Sequence, residues 1–278
     1  MGDQTDMMDD KIPLSVALIV HNEEENLPDC LRSVAFARQI VVVDSGSGDG
    51  TLRIAAAFGC EVFSEPWKGF GAQKQSAVEK CREEWVLILD ADERIPPETG
   101  QAVRRIVGSA DAAAGYSFPR KNFFQGRWIR HAGWWPDRVV RLFRRGKGRL
   151  TEARVHEAVV VEGMIEVLEA PIEHWTESRL DVILRKIDRY STLGAEEAFA
   201  QGRQSSVVSA FARSVLTFCQ DYLLRGGFLD GPQGLTLAMT DATNKFFKYA
   251  KLAEMSRLAN KGKGKETGEG SGVSDRDL

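Results

Sequence analysis

An α/β fold, with an open and mostly parallel sheet flanked by helices and a helical C-terminal extension, is the class the sequence predicts. Three features predict it. Short apolar runs each end in a polar loop and lead into helical spacing; one run stops abruptly in carboxylates; and beyond residue 175 only helical spacing remains. The chain has 278 residues, 43% of them hydrophobic, enough for one large domain with a substantial core.

The first predicted strand, Leu14–Val20, runs into His21-Asn-Glu-Glu-Glu-Asn26, where Asn22 suits a helix N-cap ahead of Leu27, Leu31 and Val34. The second, Ile40–Val43, runs into Asp44-Ser-Gly-Ser-Gly-Asp-Gly-Thr51, a turn rich in glycine and in acceptors, with a helix after it carrying Ile54, Ala55 and Phe58. Two such units in succession predict ligand loops along one sheet edge, and Asp44 suits a base or ribose. A plain turn would use the same residues. Cys60–Phe63 reads as a third strand, and the helix behind Trp67-Lys-Gly-Phe-Gly71 carries Lys74, within reach of a diphosphate or simply solvated.

Trp85-Val-Leu-Ile-Leu-Asp-Ala-Asp-Glu93 is the fourth strand and the stretch around which the others are arranged. If strand geometry persists through it, Asp90 and Asp92 point to one side and converge on a cation such as Mg²⁺ or Mn²⁺. The alternative is an acidic cap for the helix expected over 97–107. From Arg120 to Arg149 ten basic residues face one acidic residue, Asp137, and are interleaved with Trp128, Trp134 and Trp135. That field favours an anionic partner, either single-stranded nucleic acid or a phosphorylated sugar. Val159–Val161 and Ile165–Leu168 read as a hairpin, just after the acid–base pair His156-Glu157. Helices are expected over 180–201 and 206–224 and again around Leu235–Tyr249, where aromatic faces and flanking lysines suit either packing on the catalytic domain or a membrane surface.

The four widely spaced cysteines read as reduced core residues of a cytoplasmic protein. The acidic, polar first ten residues predict no signal peptide, and no run reaches the length of a spanning helix.

Ser15-Val-Ala-Leu-Ile-Val-His-Asn-Glu-Glu24, Val41-Val-Val-Asp-Ser-Gly-Ser-Gly-Asp-Gly-Thr51 and Leu87-Ile-Leu-Asp-Ala-Asp-Glu93 come in the order and at the spacing of three blocks in the family 2 glycosyltransferases of GT-A fold, which the chain resembles. Trp134-Trp-Pro-Asp-Arg138, Arg141-Leu-Phe-Arg144, Val155-His-Glu157 and Gly226-Gly-Phe-Leu-Asp-Gly231 are similar to the lipopolysaccharide core glucosyltransferase branch. The resemblance implies inverting transfer of a hexose, glucose from UDP-glucose first, to an anionic lipid-linked saccharide. It implies a nucleotide-sugar site of Asn22, Glu23, Asp44, Ser45, Gly46, Lys74, Asp90 and Ala91. The same resemblance puts Mg²⁺ or Mn²⁺ on Asp90 and Asp92, with His156 as a further contact.

Inversion needs a base opposite the leaving group, and Glu157 is the first choice with Asp137 second. Glu93, Arg138, Arg141, Trp134 and Trp135 are expected at the acceptor. Ser45 departs from the family pattern, where many members carry a second acid. The implied division is a flexible N-terminus over 1–12, a GT-A domain over 13–175, a helical and membrane-associating region over 176–259 and a disordered tail over 260–278. A cytoplasmic position, peripheral on the inner membrane, goes with that division. Nucleic acid is not an expected partner, because the strand-end loops are acidic. The rivals are a metal-dependent nucleotidyltransferase and a non-catalytic module that binds anionic ligands.

Overall fold

The computed structural model describes residues 11–151, 158–176 and 179–266 and divides the chain into two compact units. One contains the sheet. The other takes Ile129–Trp134 together with the chain from Glu177 onward.

In the sheet unit the first half alternates strand and helix: β1 (Ile12–Val20), α1 (Leu27–Ser33), β2 (Ala37–Asp44), α2 (Thr51–Ala57), β3 (Glu61–Ser64), α3 (Phe70–Glu79) and β4 (Trp85–Asp90). β1 pairs in parallel with β2 on one side and β4 on the other, and β2 pairs in parallel with β3. Both faces of these strands are covered. Leu14, Val16, Leu18, Leu87 and Leu89 enter one core, while Ala17, Val41, Val43, Val86 and Ile88 enter a second on the opposite face. Burial on two faces is why the strands read as continuous apolar runs and not as alternating ones. The order β3-β2-β1-β4 reverses direction at β1, so a crevice opens outside the carboxyl ends of β1 and β4.

The sheet continues with β5 (Glu93–Arg94), β6 (Gly115–Phe124), β7 (Arg127–Trp128), β8 (Asp137–Arg144) and β12 (Ile172–Trp175), in the spatial order β4-β8-β6-β12-β5, while α4 (Pro97–Val107) follows β5 in sequence. β8 is antiparallel to both β4 and β6, and β12 runs parallel to β6.

Three local expectations are corrected. Val159–Val161 and Ile165–Val167 do not pair as a hairpin: the former (β10) pairs with Gly148–Leu150 (β9), the latter (β11) with β6. Their connection is held from two sides, because the Glu162 amide donates to the Lys147 carbonyl and the Met164 carbonyl accepts from Ala114 and Gly115. Asn22 is not a helix cap. It sits at φ +56°, and α1 begins only at Leu27 behind Asn26. Finally β4 stops at Asp90, and Ala91 and Asp92 form a turn, so strand alternation does not relate the two aspartates.

The second unit is built from α5 (Leu180–Ala200), α6 (Val207–Phe218), a π-helical turn Cys219–Leu224, a 3₁₀ turn Gly227–Asp230 and α7 (Gly231–Glu266). α7 therefore runs past residue 260, where composition alone predicts disorder. The Ser206 side chain caps α6 by accepting from the Ser209 amide at 3.1 Å. Asp230, 2% exposed, accepts from the Arg130 and His131 amides and from His131 Nδ1, which ties the 129–134 segment to these helices.

Burial pushes the Asp241 carboxyl in α7 up to about 6, with the nearby Asp221 charge adding to the shift and Lys245 and Arg225 opposing it. The folded chain thus binds this proton more tightly than the unfolded one, so stability falls as pH rises from about 4 to 6 and stays lower above that. Asp241→Asn is expected to raise the melting temperature at pH 7 and to leave it nearly unchanged at pH 4. Equal shifts at both pH values would show that the carboxylate charge is not responsible.

Candidate functional site

Two clusters lie at the carboxyl ends of β1, β2 and β4. In the first, the loops after β1 and β2 are laced together. The Asn22 amide donates to Ser47 Oγ at 2.9 Å, and Asn22 Oδ1 accepts from the Gly48 amide at 2.8 Å. The Glu23 amide donates to Thr51 Oγ1 at 2.8 Å, and Glu24 Oε2 accepts from the Gly50 amide at 2.7 Å. Asp44, only 1% exposed, turns its carboxylate onto its own loop and accepts from the Gly46 and Ser47 amides and from Ser47 Oγ. Gly46 at φ +100° supplies the left-handed residue this turn needs. Ser45 is fastened to the Val20 carbonyl. Of the residues expected to receive a nucleotide, Asn22, Glu23, Asp44, Ser45 and Gly46 are therefore brought together, with Asp44 shaping the turn from within.

The second cluster is ionic. Asp90 Oδ1 meets Lys74 Nζ at 2.7 Å, and Asp90 Oδ2 meets Arg141 Nη2 at 2.7 Å. The same Arg141 nitrogen lies 2.6 Å from Glu93 Oε1, and Glu93 also accepts from the Asp90 amide at 3.1 Å and from Arg120 at 3.4 Å. Burial by itself would push the Asp90 carboxyl up; the Arg141 and Lys74 charges outweigh it and hold Asp90 well below the usual carboxylate range. Arg141 is held correspondingly high by Glu93 and Asp90, against its own burial.

This arrangement revises three expectations. Lys74 is 6% exposed and bound to Asp90, neither solvated nor extended towards a ligand. Glu93 is wholly buried and caps no helix, since Pro96 occupies the N-cap of α4; its carboxylate is taken up by Arg141 and Arg120. Arg141, expected at the acceptor, is 7% exposed, because β8 sends it inward beside the fully buried Leu142 and Phe143.

Asp92, in the turn beyond Asp90, is partly exposed and lies 3.2 Å from His174 Nε2. His174 Nδ1 is in turn 2.6 Å from Asn122 Oδ1. The His174 ring is thus held between Asn122 on one nitrogen and Asp92 on the other. His174 is not among the residues the sequence singles out. Its one signal was the two-residue spacing from the buried Ile172, which places both on one face of β12.

Asp137, at the start of β8, accepts at Oδ2 from Arg120 Nε at 2.9 Å and from Nη2 at 2.5 Å. Arg138 is exposed and reaches the Leu168 carbonyl and Glu169. Trp135 packs edge-on against Trp128 at 5.2 Å, whereas Trp134 belongs to the helical unit. His156 and Glu157 lie outside the described residues.

The carboxyl ends of β1, β2 and β4 thus set a loop pair suited to a nucleotide beside carboxylates and a histidine. Residues 15–160 match the model of the family described as glycosyl transferase family 2. The chain belongs to that family.

It is 31% identical over 260 residues to the lipopolysaccharide core biosynthesis glycosyltransferase LpsC of Rhizobium meliloti, covering 89% of this chain and 94% of that protein. It is 25% identical to an uncharacterized glycosyltransferase of Rickettsia typhi, with 87% of each chain covered. A crystal structure of S. aureus TarS 1–349 in complex with UDP-GlcNAc aligns with a TM-score of 0.46 at 15% identity, over 88% of this chain and 92% of that one.

Replacing Arg141 by methionine leaves Asp90 and Glu93 as neighbouring carboxylates with Lys74 and Arg120 alone. Arg141→Met is expected to cost about 3–5 kcal/mol of unfolding free energy, the usual effect of breaking a buried ion pair from one side. Adding Glu93→Gln should restore part of it. Chemical denaturation measures both, and a loss under 1 kcal/mol in the single variant would contradict the network.

Proposed function

We propose that this family 2 glycosyltransferase moves a hexose, glucose from UDP-glucose first, with inversion, to a hydroxyl of an anionic lipid-linked saccharide of the lipopolysaccharide core type. The observation that carries the reading is the division of labour at the end of β4. The two carboxylates are about equally exposed, but both Asp90 oxygens are taken up by the buried cations Lys74 and Arg141, whereas Asp92 meets the His174 ring, and the ligand is assigned to Asp92 on that difference in partners. The similarity to LpsC supports the acceptor class.

Uridine is assigned to the laced loops of Asn22, Glu23 and the Asp44–Gly46 turn, and the diphosphate to the turn Asp90-Ala91-Asp92. For a divalent cation, the sequence-based pair Asp90 and Asp92 gives way in this reading to Asp92 and His174. Among the described residues no group of three or more acidic, histidine or cysteine side chains is poised to hold a metal. Two protein donors fit Mg²⁺ or Mn²⁺ nonetheless, since these ions ordinarily complete their shell with phosphate oxygens and water. Such an ion supplies positive charge against the charge that grows on the departing diphosphate.

The chain's own groups do the rest. Arg141 and Lys74 keep Asp90 ionised and fixed, so the turn that carries Asp92 starts from a rigid point. Asn122 holds the His174 ring in place beside Asp92. Glu157 is assigned the proton of the attacking hydroxyl; Asp137, with Oδ2 taken up by Arg120, remains second. His156 stays a further contact to the metal or diphosphate. Arg138, exposed on β8, is assigned to the acceptor along with Trp134 and Trp135.

A screen of nucleotide sugars with Mg²⁺ or Mn²⁺, reading UDP release with and without a lipopolysaccharide-core acceptor, tests the reaction. UDP release dependent on metal and acceptor, without pyrophosphate, is expected for the wild-type enzyme. Asp92→Ala should lower it at least 100-fold with little change in melting temperature, and Glu157→Gln should spare UDP-sugar binding while stopping transfer. Turnover by Glu157→Gln at the wild-type rate would place the base elsewhere, and release of no UDP from any donor would defeat the reading.

A further inference from the structure

The helical unit carries an apolar surface that its own packing leaves uncovered. On α6, Val207, Val208, Phe211 and Leu216 are 61–78% exposed, and Val215 lies between them at 42%. The surface continues through Leu223 and Leu224 in the π-helical turn, the latter 83% exposed, and through Phe228 and Leu229 in the 3₁₀ turn. Only Ala210 of α6 is fully buried, so this helix presents most of its large side chains outward. A contiguous exposed apolar strip of this kind marks an interaction surface.

Charge decides the occupant. Between residues 203 and 240 the side chains charged at neutral pH are Arg203, Arg213, Arg225, Asp221 and Asp230. Both aspartates are buried, Asp221 against Arg225 and Asp230 against His131, so every exposed charge on this stretch is an arginine. A second copy docking through the same face would set arginines against arginines with no exposed acid on the stretch to answer them. Arg225 is met by Asp221, and a membrane surface with anionic headgroups answers the remaining two, Arg203 and Arg213. Length argues the same way. α6 has 12 residues, about 18 Å of helix, and no described helix is long and apolar enough to cross a bilayer.

We propose that the outer face of α6 and the two turns after it, Val207–Leu229, lies in the interface of an anionic lipid leaflet. Val208, Phe211, Leu216 and Leu224 enter the acyl boundary, and Arg203 and Arg213 stay at headgroup level. This inference is independent of the sugar transferred, and its test contains neither donor nor acceptor.

The test is sedimentation of the full chain with vesicles of phosphatidylcholine alone or with 30% phosphatidylglycerol. Binding is expected to the anionic vesicles and to weaken on going from 50 to 500 mM salt. Val208→Asp with Leu216→Asp should lower it at least tenfold, and Arg203→Gln with Arg213→Gln about 30-fold at low salt, from roughly fivefold per arginine. The melting temperature of the Val208→Asp, Leu216→Asp variant should stay at the wild-type value, because those side chains are exposed, while Arg213→Gln gives up the contact of Arg213 with the Tyr249 ring and should lower it slightly. No binding to either vesicle overturns the proposal. So does a wild-type dimer in light scattering that Val208→Asp with Leu216→Asp dissociates, since the face would then belong to a second copy. Binding that is equal on the two vesicle types overturns the assigned role of the arginines.

Discussion

Asp90 is held between two cations at the carboxyl end of β4, and most of what surrounds it follows from that clamp. Placing a carboxylate, a lysine and an arginine together in a largely buried spot is costly unless each charge finds partners. Here Lys74 and Arg141 take one oxygen each, and Arg141 is shared with Glu93, which also receives the Asp90 amide. The clamp joins the consecutive elements α3, β4 and β5 to β8, whose Arg141 lies 51 residues beyond Asp90. It thereby fixes where β4 ends and where the turn holding Asp92 begins.

Rigidity on this side is matched on the other by hydrogen bonds between the β1 and β2 loops. There the lacing consists mostly of backbone amides meeting side-chain oxygens, as between Asn22 and Ser47 or Glu24 and Gly50. The acceptors include the carboxylates of Glu24 and Asp44, so these loops are acidic, while the buried cations gather at β4. A nucleotide diphosphate needs that combination: a shaped recess for the nucleoside beside a charged end for the phosphates.

The parallel half of the sheet was legible because strands buried on both faces must be apolar throughout. Ile40–Val43 and Val86–Leu89 announce themselves, and the 97–107 helix matches α4. What escaped depends on long-range pairing. Lys74 and Arg141 carry no local mark of burial, since a lysine on a helix and an arginine on a strand are ordinarily solvated. Only the fold brings them to Asp90. His174 escaped for the same reason, 82 residues from Asp92 in the chain. The supposed hairpin failed because β6 and β9 offered open edges that a three-residue connection does not reveal.

The central claim is that Asp92 and His174, and not the pair Asp90 and Asp92, form the protein's share of a metal–diphosphate site. Electron paramagnetic resonance of Mn²⁺ titrated into the enzyme with UDP present measures this directly. His174→Ala is expected to weaken Mn²⁺ binding by about 10- to 100-fold, the range typical of altering a metal's surroundings, with the melting temperature nearly unchanged. Wild-type Mn²⁺ affinity in a folded His174→Ala variant would contradict the account.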